Sequence, residues 1–304
     1  MTTHATAAAA QPVRPLGPAV TAISCHSANF VARELDYRMA GGWAEGDRTT
    51  VEAFRPVETF ALRFDGLLHE IASLGFAALD VWDAHLHFNW ASPLHIALAR
   101  RALAGRRMRL VSLGGWLGRR PEQFEAVCIL ARALGGPLLA GGADLLSVDR
   151  QAMIELLEQY DLRFAYENHP EKSAAETLAL IGDDSPRIGT CVDTGWYGTQ
   201  GYDAARAIHE LGPRVLHVHL KDVLPGPAHE GCRYGRGTLP VRECVRALAE
   251  IGYSGAITVE LEPPLRAEDW GERDRFDARP DIAENRRLLE GWLAEEGLAS
   301  GGAA

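Results

Sequence analysis

The stretch RFDGLLHEIASLG at residues 63–75 runs directly into FAALDVW at 76–82. Phe64, Leu67, Leu68, Ile71 and Leu74 recur at three- and four-residue spacing, which predicts a helix with one apolar face. Gly75 stands where such a helix would stop. The run that follows is short and almost wholly apolar, as a strand covered on both faces should be.

The same pair recurs along the chain. Short apolar runs at 19–25, 76–82, 109–115, 137–142, 162–168, 187–193, 214–221 and 256–262 predict strands. Segments near 58–74, 92–106, 121–135, 150–160, 172–182, 202–211, 239–251 and 281–295 carry helical patterning between them, the third opened by Pro121 and closed by Gly135. Strict strand–helix alternation implies parallel strands joined by right-handed crossovers. Eight such units predict an α/β fold: a single (β/α)8 TIM barrel over 19–297, with flexible tails at 1–18 and 298–304. An open doubly wound sheet is the alternative, but no G-x-G-x-x-G follows the first strand. Connections near His26–Val57, Asp222–Thr238 and Pro263–Pro280 are too long for plain turns. They predict long βα loops 1, 7 and 8 over the C-terminal face, where barrels build their sites.

Of the 304 residues, 47% are hydrophobic and 24% charged, enough to bury a large core, and the net charge is -10. That sign argues against a nucleic-acid or anionic-membrane partner and leaves small neutral or cation-assisted ligands open. Five cysteines without a C-x-x-C pair point to reduced thiols. The Ala/Thr/Pro-rich start lacks a secretory pattern, and no run approaches 18 apolar residues, so the expected location is cytoplasmic.

Chemistry enters at the strand ends. In RVLHVHLKDV (214–223) alternation sets His217, His219 and Lys221 on one face. Glu167 closes the fifth predicted strand, Asp193 the sixth, and Glu260 lies near the end of the eighth. Each alone reads as a turn cap, a satisfied core residue or an ion-pair partner. Four ionisable groups at one end of four consecutive strands are costly unless they share a cation or a network. Two glutamates, an aspartate and a histidine suit Mn2+, Mg2+, Co2+, Fe2+ or Zn2+.

The segments YENH (166–169), VDTGW (192–196), HVHLKD (217–222), GRGTLP (235–240) and GYSGAITVELE (252–262) resemble the sugar-phosphate isomerase/epimerase superfamily, the xylose-isomerase-like TIM barrels. The resemblance spans roughly 58–262. Within it RVLHVHLKDV is closest to the inosose-dehydratase-like branch, while GGWAEGD (41–47) and FRPVETFALRFD (54–65) resemble C-glycoside-deglycosidase-type members. The resemblance implies one divalent ion, commonly Mn2+, held by Glu167, Asp193, His219 and Glu260. It also implies proton abstraction α to a carbonyl of a keto-sugar or cyclitol. The chain departs from the ketohexose epimerases at three positions: Trp196 stands for a His, Ser173 for a Glu and Pro225 for an Arg.

An isomerase or epimerase is therefore expected, with a lyase of the same superfamily (inosose dehydration or cleavage of a 3-keto-glycoside) as the alternative and a non-catalytic barrel as the remote one. Candidate bases are Glu167, Glu260 and His169. Candidate substrate contacts are Lys221, His85, His87, Trp196, Arg236 and Trp43, the tryptophans because aromatic faces suit sugar rings. A loop position before Pro170 equally explains His169, and a rim pair with Asp222 is the alternative for Lys221. The expected partner is a small carbohydrate or cyclitol, and a homo-oligomer or a small partner subunit is compatible with the sequence.

Overall fold

Parallel strands ordered β1-β10-β7-β6-β5-β4-β3-β2 close into an eight-stranded barrel in the computed structural model, which describes residues 22–226, 228–270 and 275–298. The barrel strands are β1 (Ile23–His26), β2 (Ala78–Trp82), β3 (Arg109–Trp116), β4 (Leu138–Gly142), β5 (Arg163–Glu167), β6 (Ile188–Asp193), β7 (Val215–Leu220) and β10 (Ile257–Val259). A two-stranded ribbon, β8 (Asp222–Val223) and β9 (Gly231–Cys232), rises from the seventh connection. The expected tails, apart from Leu298, and the expected strand start at 19–21 lie outside the described residues.

Helices follow the strands as the patterning requires. α1 (Trp43–Phe54) and α2 (Val57–Ser73) precede β2; α3 (Pro93–Gly105) and α4 (Pro121–Leu134) follow β2 and β3. Next come α5 (Leu145–Val148), α6 (Arg150–Gln159), α7 (Ala174–Ile181), α8 (Thr194–Thr199), α9 (Ala204–Leu211), α10 (Val241–Glu250) and α11 (Arg279–Glu295). Phe64, Leu67, Leu68 and Ile71 of α2 are fully buried in the layer between barrel and helices. The ends carry the expected punctuation. Ser92 accepts from the His95 backbone at α3, Asp203 accepts from two backbone N–H groups at α9, and Gly135 closes α4 at φ 81°. Ser173 caps α7, which accounts for a serine at that position.

The long first connection contains a helix, α1, that the sequence did not predict. Its apolar residues are too sparse to mark a helix, and Gly46 interrupts it. That glycine is dictated by packing: a Cβ there would lie 2.0 Å from Met39 Sδ and 3.1 Å from the Val31 carbonyl. The connection is tied to the eighth loop by Trp43 N–H to the Leu265 carbonyl at 2.9 Å. No helix among the described residues is long and apolar enough to cross a membrane.

Candidate functional site

At the C-terminal mouth the strands splay and side chains take over from the ladder. Asn168, just past β5, donates to the Asp193 carbonyl and accepts from its N–H at 3.0 and 2.8 Å. Thr194 does the same between β6 and β7, donating to the Lys221 carbonyl and accepting from its N–H, both at 2.8 Å. Asn29 joins β1 to β10 through the Val259 carbonyl and the Leu261 N–H. All three clamps are buried, so each fixes its pair of strand ends in a setting where unpaired backbone groups would be costly.

The clamped ends present Glu167, Asp193, His219 and Glu260, which offer donor atoms all within 4.8 Å of one another. His219 Nδ1 lies 2.6 Å from Glu167 Oε1 and 3.1 Å from Glu260 Oε2. Asp193, His219 and Glu260 are almost fully buried, whereas Glu167 retains 12% exposure and is the member that meets solvent. Lys221, 2% exposed, sets its ammonium 2.9 Å from Asp193, 3.1 Å from Glu260 and 2.6 Å from Glu262. Its partner is thus this carboxylate cluster. Asp222 instead accepts from the Gly235, Gly237 and Leu239 N–H groups and so shapes the GRGTLP turn.

Electrostatics follow from burial opposed by close partners. Burial alone would raise Glu167 and Glu260, but His219 beside the first and Lys221 beside the second hold both below the usual carboxylate range. Burial would likewise discharge Lys221, yet Asp193, Glu260 and Glu262 keep its pKa well above the ordinary value. Burial pushes Asp193 up to about 6 and Glu262 up to about 8 against the pull of Lys221. Three carboxylates and one imidazole within 4.8 Å suit a divalent cation. Neither Asp193 Oδ2 nor Glu260 Oε2 has an aligned hydrogen bond, leaving acceptor capacity for one.

The other candidates divide. Trp196 stacks on His229 at 3.9 Å and meets His169 edge-on at 4.4 Å, so loops 5, 6 and 7 each contribute a ring to one wall. Trp43 meets Trp82 edge-on at 6.2 Å, and Trp82 meets His26 at 5.8 Å, forming the opposite wall. Arg236 is exposed on the seventh loop. His87 sits apart from the cluster, stacked on Phe88 with Nε2 4.0 Å from Asp83. His85 is packed under the first loop, 1% exposed, bonded to Ser27 Oγ and edge-on to Phe54, and burial lowers its pKa to about 3. His217 is buried one layer below His219 and bonded to Asp80.

Three residues at the mouth were not among the site residues expected from the sequence. His26 ends β1 with Nδ1 3.3 Å from Glu260 and its ring 4.7 Å from that of His219. Its signal was a polar residue one position past the expected strand. Asp80, a lone carboxylate inside FAALDVW, lies beneath His219, and Glu262 pairs with Lys221.

A family model described as xylose isomerase-like TIM barrel matches residues 68–290. The chain belongs to that family. Among curated relatives of this xylose isomerase-like barrel, the fructoselysine 3-epimerase of Escherichia coli O157:H7 is 32% identical over 117 residues, 36% of this chain and 42% of that protein. The fructoselysine 3-epimerase of Shigella flexneri is 27% identical over 195 residues, 60% of this chain and 63% of that one. The matches thus span less than two thirds of those relatives' length. Among solved structures, an L-ribulose 3-epimerase superposes with a TM-score of 0.65 at 16% identity, covering 91% of this chain and 96% of the other. That likeness concerns the fold.

Proposed function

We propose that this barrel is a divalent-metal-dependent isomerase or epimerase acting on a keto-sugar or cyclitol by removing a proton α to a carbonyl. The observation that carries the reading is the convergence of Glu167, Asp193, His219 and Glu260 from four neighbouring strands to within 4.8 Å. The named 3-epimerases among its curated relatives support the reaction class. Glu167, Asp193, His219 and Glu260 would hold one ion, with Mn2+ the expected species. Such an ion, when bound, supplies Lewis-acid stabilisation of the developing oxyanion.

The remaining work falls to side chains. Glu167 is the base, since it is kept ionised by His219 and is the cluster member reached from solvent. Glu260, 3.1 Å from the same His219 nitrogen, is the second acid–base candidate. The Lys221 ammonium is taken up by Asp193, Glu260 and Glu262, and so holds those carboxylates rather than a substrate oxygen. The Trp196 and Trp43 walls cover the apolar faces of a ring and exclude water. His169, exposed and edge-on to Trp196, is the weaker base candidate.

A lyase of the same family is the second reading. It is favoured by the Lys221–Glu262 pair at 2.6 Å, which sets a proton-bearing group beside Glu260 for departure of a β-substituent. Metal analysis of protein purified without chelator, for wild type and His219→Ala, tests the ion. Equal metal content in both would sink the four-donor site. Incubation with ketohexoses, keto-inositol and 3-keto-glycosides in D2O tests the chemistry. Deuterium uptake α to a carbonyl is expected, and its absence across the panel would refute the first step.

A further inference from the structure

We infer that Asp80 is a positioning residue: from beneath the mouth it faces His219 Nε2 and so aims Nδ1 into the four-donor cluster. The inference rests on reading that cluster as a cation site, and it adds a residue from a fifth strand.

The geometry comes from three strands meeting at one carboxylate. Asp80, on β2, is fully buried, and it sits where the pairing of β2 with β3 slips between Leu79 and Asp80. Such irregularities re-aim a side chain. Its Oδ2 lies 2.5 Å from His217 Nε2 on β7 and accepts from Thr258 Oγ1 on β10 at 3.0 Å. Thr258 is itself 2.5 Å from Ser24 Oγ on β1. Those contacts fix the carboxylate before His219 is considered. His219 Nε2 then lies 3.4 Å from the same Oδ2 and, though buried, has no aligned hydrogen-bond partner.

The two nitrogens of His219 therefore face different groups, Nδ1 the mouth carboxylates and Nε2 Asp80. A neutral imidazole carries one N–H and one lone pair. A carboxylate next to Nε2 favours the proton there and leaves the Nδ1 lone pair for a cation. Without Asp80 no carboxylate would hold the Nε2 edge, and cation binding would have to orient the ring itself. His217 and Thr258 act through Asp80 by holding its rotamer.

Mn2+ affinity, measured by the electron paramagnetic resonance of free Mn2+ in titrations, tests the inference on wild type, Asp80→Asn, Thr258→Val, Leu79→Ala and His219→Ala. Losing a carboxylate that orients a ligating histidine is expected to weaken binding by roughly 10–100-fold in Asp80→Asn, with a smaller loss in Thr258→Val. The absorption bands of Co2+-loaded Asp80→Asn are expected to shift as the ligand field changes. Leu79→Ala controls for packing. Its side chain is fully buried in the outer core, so it destabilises the fold while leaving affinity intact. Should Asp80→Asn prove too unstable to study, Thr258→Val carries the same comparison. Binding by Asp80→Asn as tight as wild type, or an equal loss in Leu79→Ala, overturns the inference alone. Failure of wild type to bind Mn2+, or unchanged affinity in His219→Ala, overturns the cation site and this inference together.

Discussion

Replacing Lys221 with methionine keeps the length of the side chain and deletes the charge. In the folded protein its ammonium is 2% exposed and touches Asp193, Glu260 and Glu262 at 2.9, 3.1 and 2.6 Å. Removing it leaves buried carboxylates without their cation. Breaking one side of a buried ion pair costs about 3–5 kcal/mol. Two effects work against the full figure: Glu262 can take up a proton, its pKa already being pushed up to about 8, and His219 still faces Glu260. The lower end, about 3 kcal/mol, is therefore expected, a fall in Tm of roughly 5 °C for a domain of this size. Urea unfolding at neutral pH, with and without Mn2+, is the assay. The stabilisation conferred by Mn2+ should be larger in Lys221→Met than in wild type, because the ion meets uncompensated carboxylates. Adding Glu262→Gln should recover part of the loss, giving a coupling of about 0.5–3 kcal/mol. A Lys221→Met protein as stable as wild type, with no coupling to Glu262→Gln, would refute the assignment of Lys221 as internal counter-ion.

Burial, reinforced by Asp47, pushes the Asp83 carboxyl up to about 7, so the fold prefers its protonated form. The stability this group contributes is complete below the unfolded carboxylate range and is lost as pH rises through about 7. Its 17% exposure screens the effect to roughly 2–3 kcal/mol. Asp83→Asn should flatten the stability profile between about pH 4 and 8, and coincident chemical-denaturation profiles would contradict this. Asp222→Ala removes the acceptor for the Gly235, Gly237 and Leu239 N–H groups and should cost roughly 3 kcal/mol while exposing the seventh loop to limited proteolysis. Gly237→Ala should act alike, since its Cβ would meet Asp222 Oδ1 at 2.1 Å and the Val223 carbonyl at 2.4 Å. An unchanged digestion pattern in both would argue against that turn's dependence on Asp222. Trp196→Ala opens the wall shared with His169 and His229 and should raise KM for whichever panel substrate exchanges deuterium, by roughly tenfold, with less effect on kcat. A loss confined to kcat would instead put Trp196 in the chemical step.

Local patterning specified the barrel and its four converging donors, because strand alternation and helix periodicity are properties of neighbouring residues. Glu167, Asp193, His219 and Glu260 were legible for that reason: each closes a strand, and parallel strands bring their ends together. What depended on chain return was not legible. Asp222 reads as a loop start, and only the fold reveals that it gathers three N–H groups from residues 13 to 17 positions later. Asp80 and His26 acquire meaning only when β1 and β2 close against β10 and β3. The helix α1 escaped because its packing against Met39 demanded a glycine, which the pattern reads as a break.

The Asn168, Thr194 and Asn29 clamps separate two jobs that a metal site often merges. The strand ends are spaced by amides and a hydroxyl that bind backbone and none of the four donor side chains, so the donor at each end can change while its spacing stays. An ion of different hardness could then be accommodated by exchanging one donor, for instance Asp193→His, with the neighbouring donors left in register. The reverse exchange, altering a clamp and keeping every donor, should disturb the site more. On the proposed reading, the residues most resistant to redesign are the clamps, which lie outside the donor set.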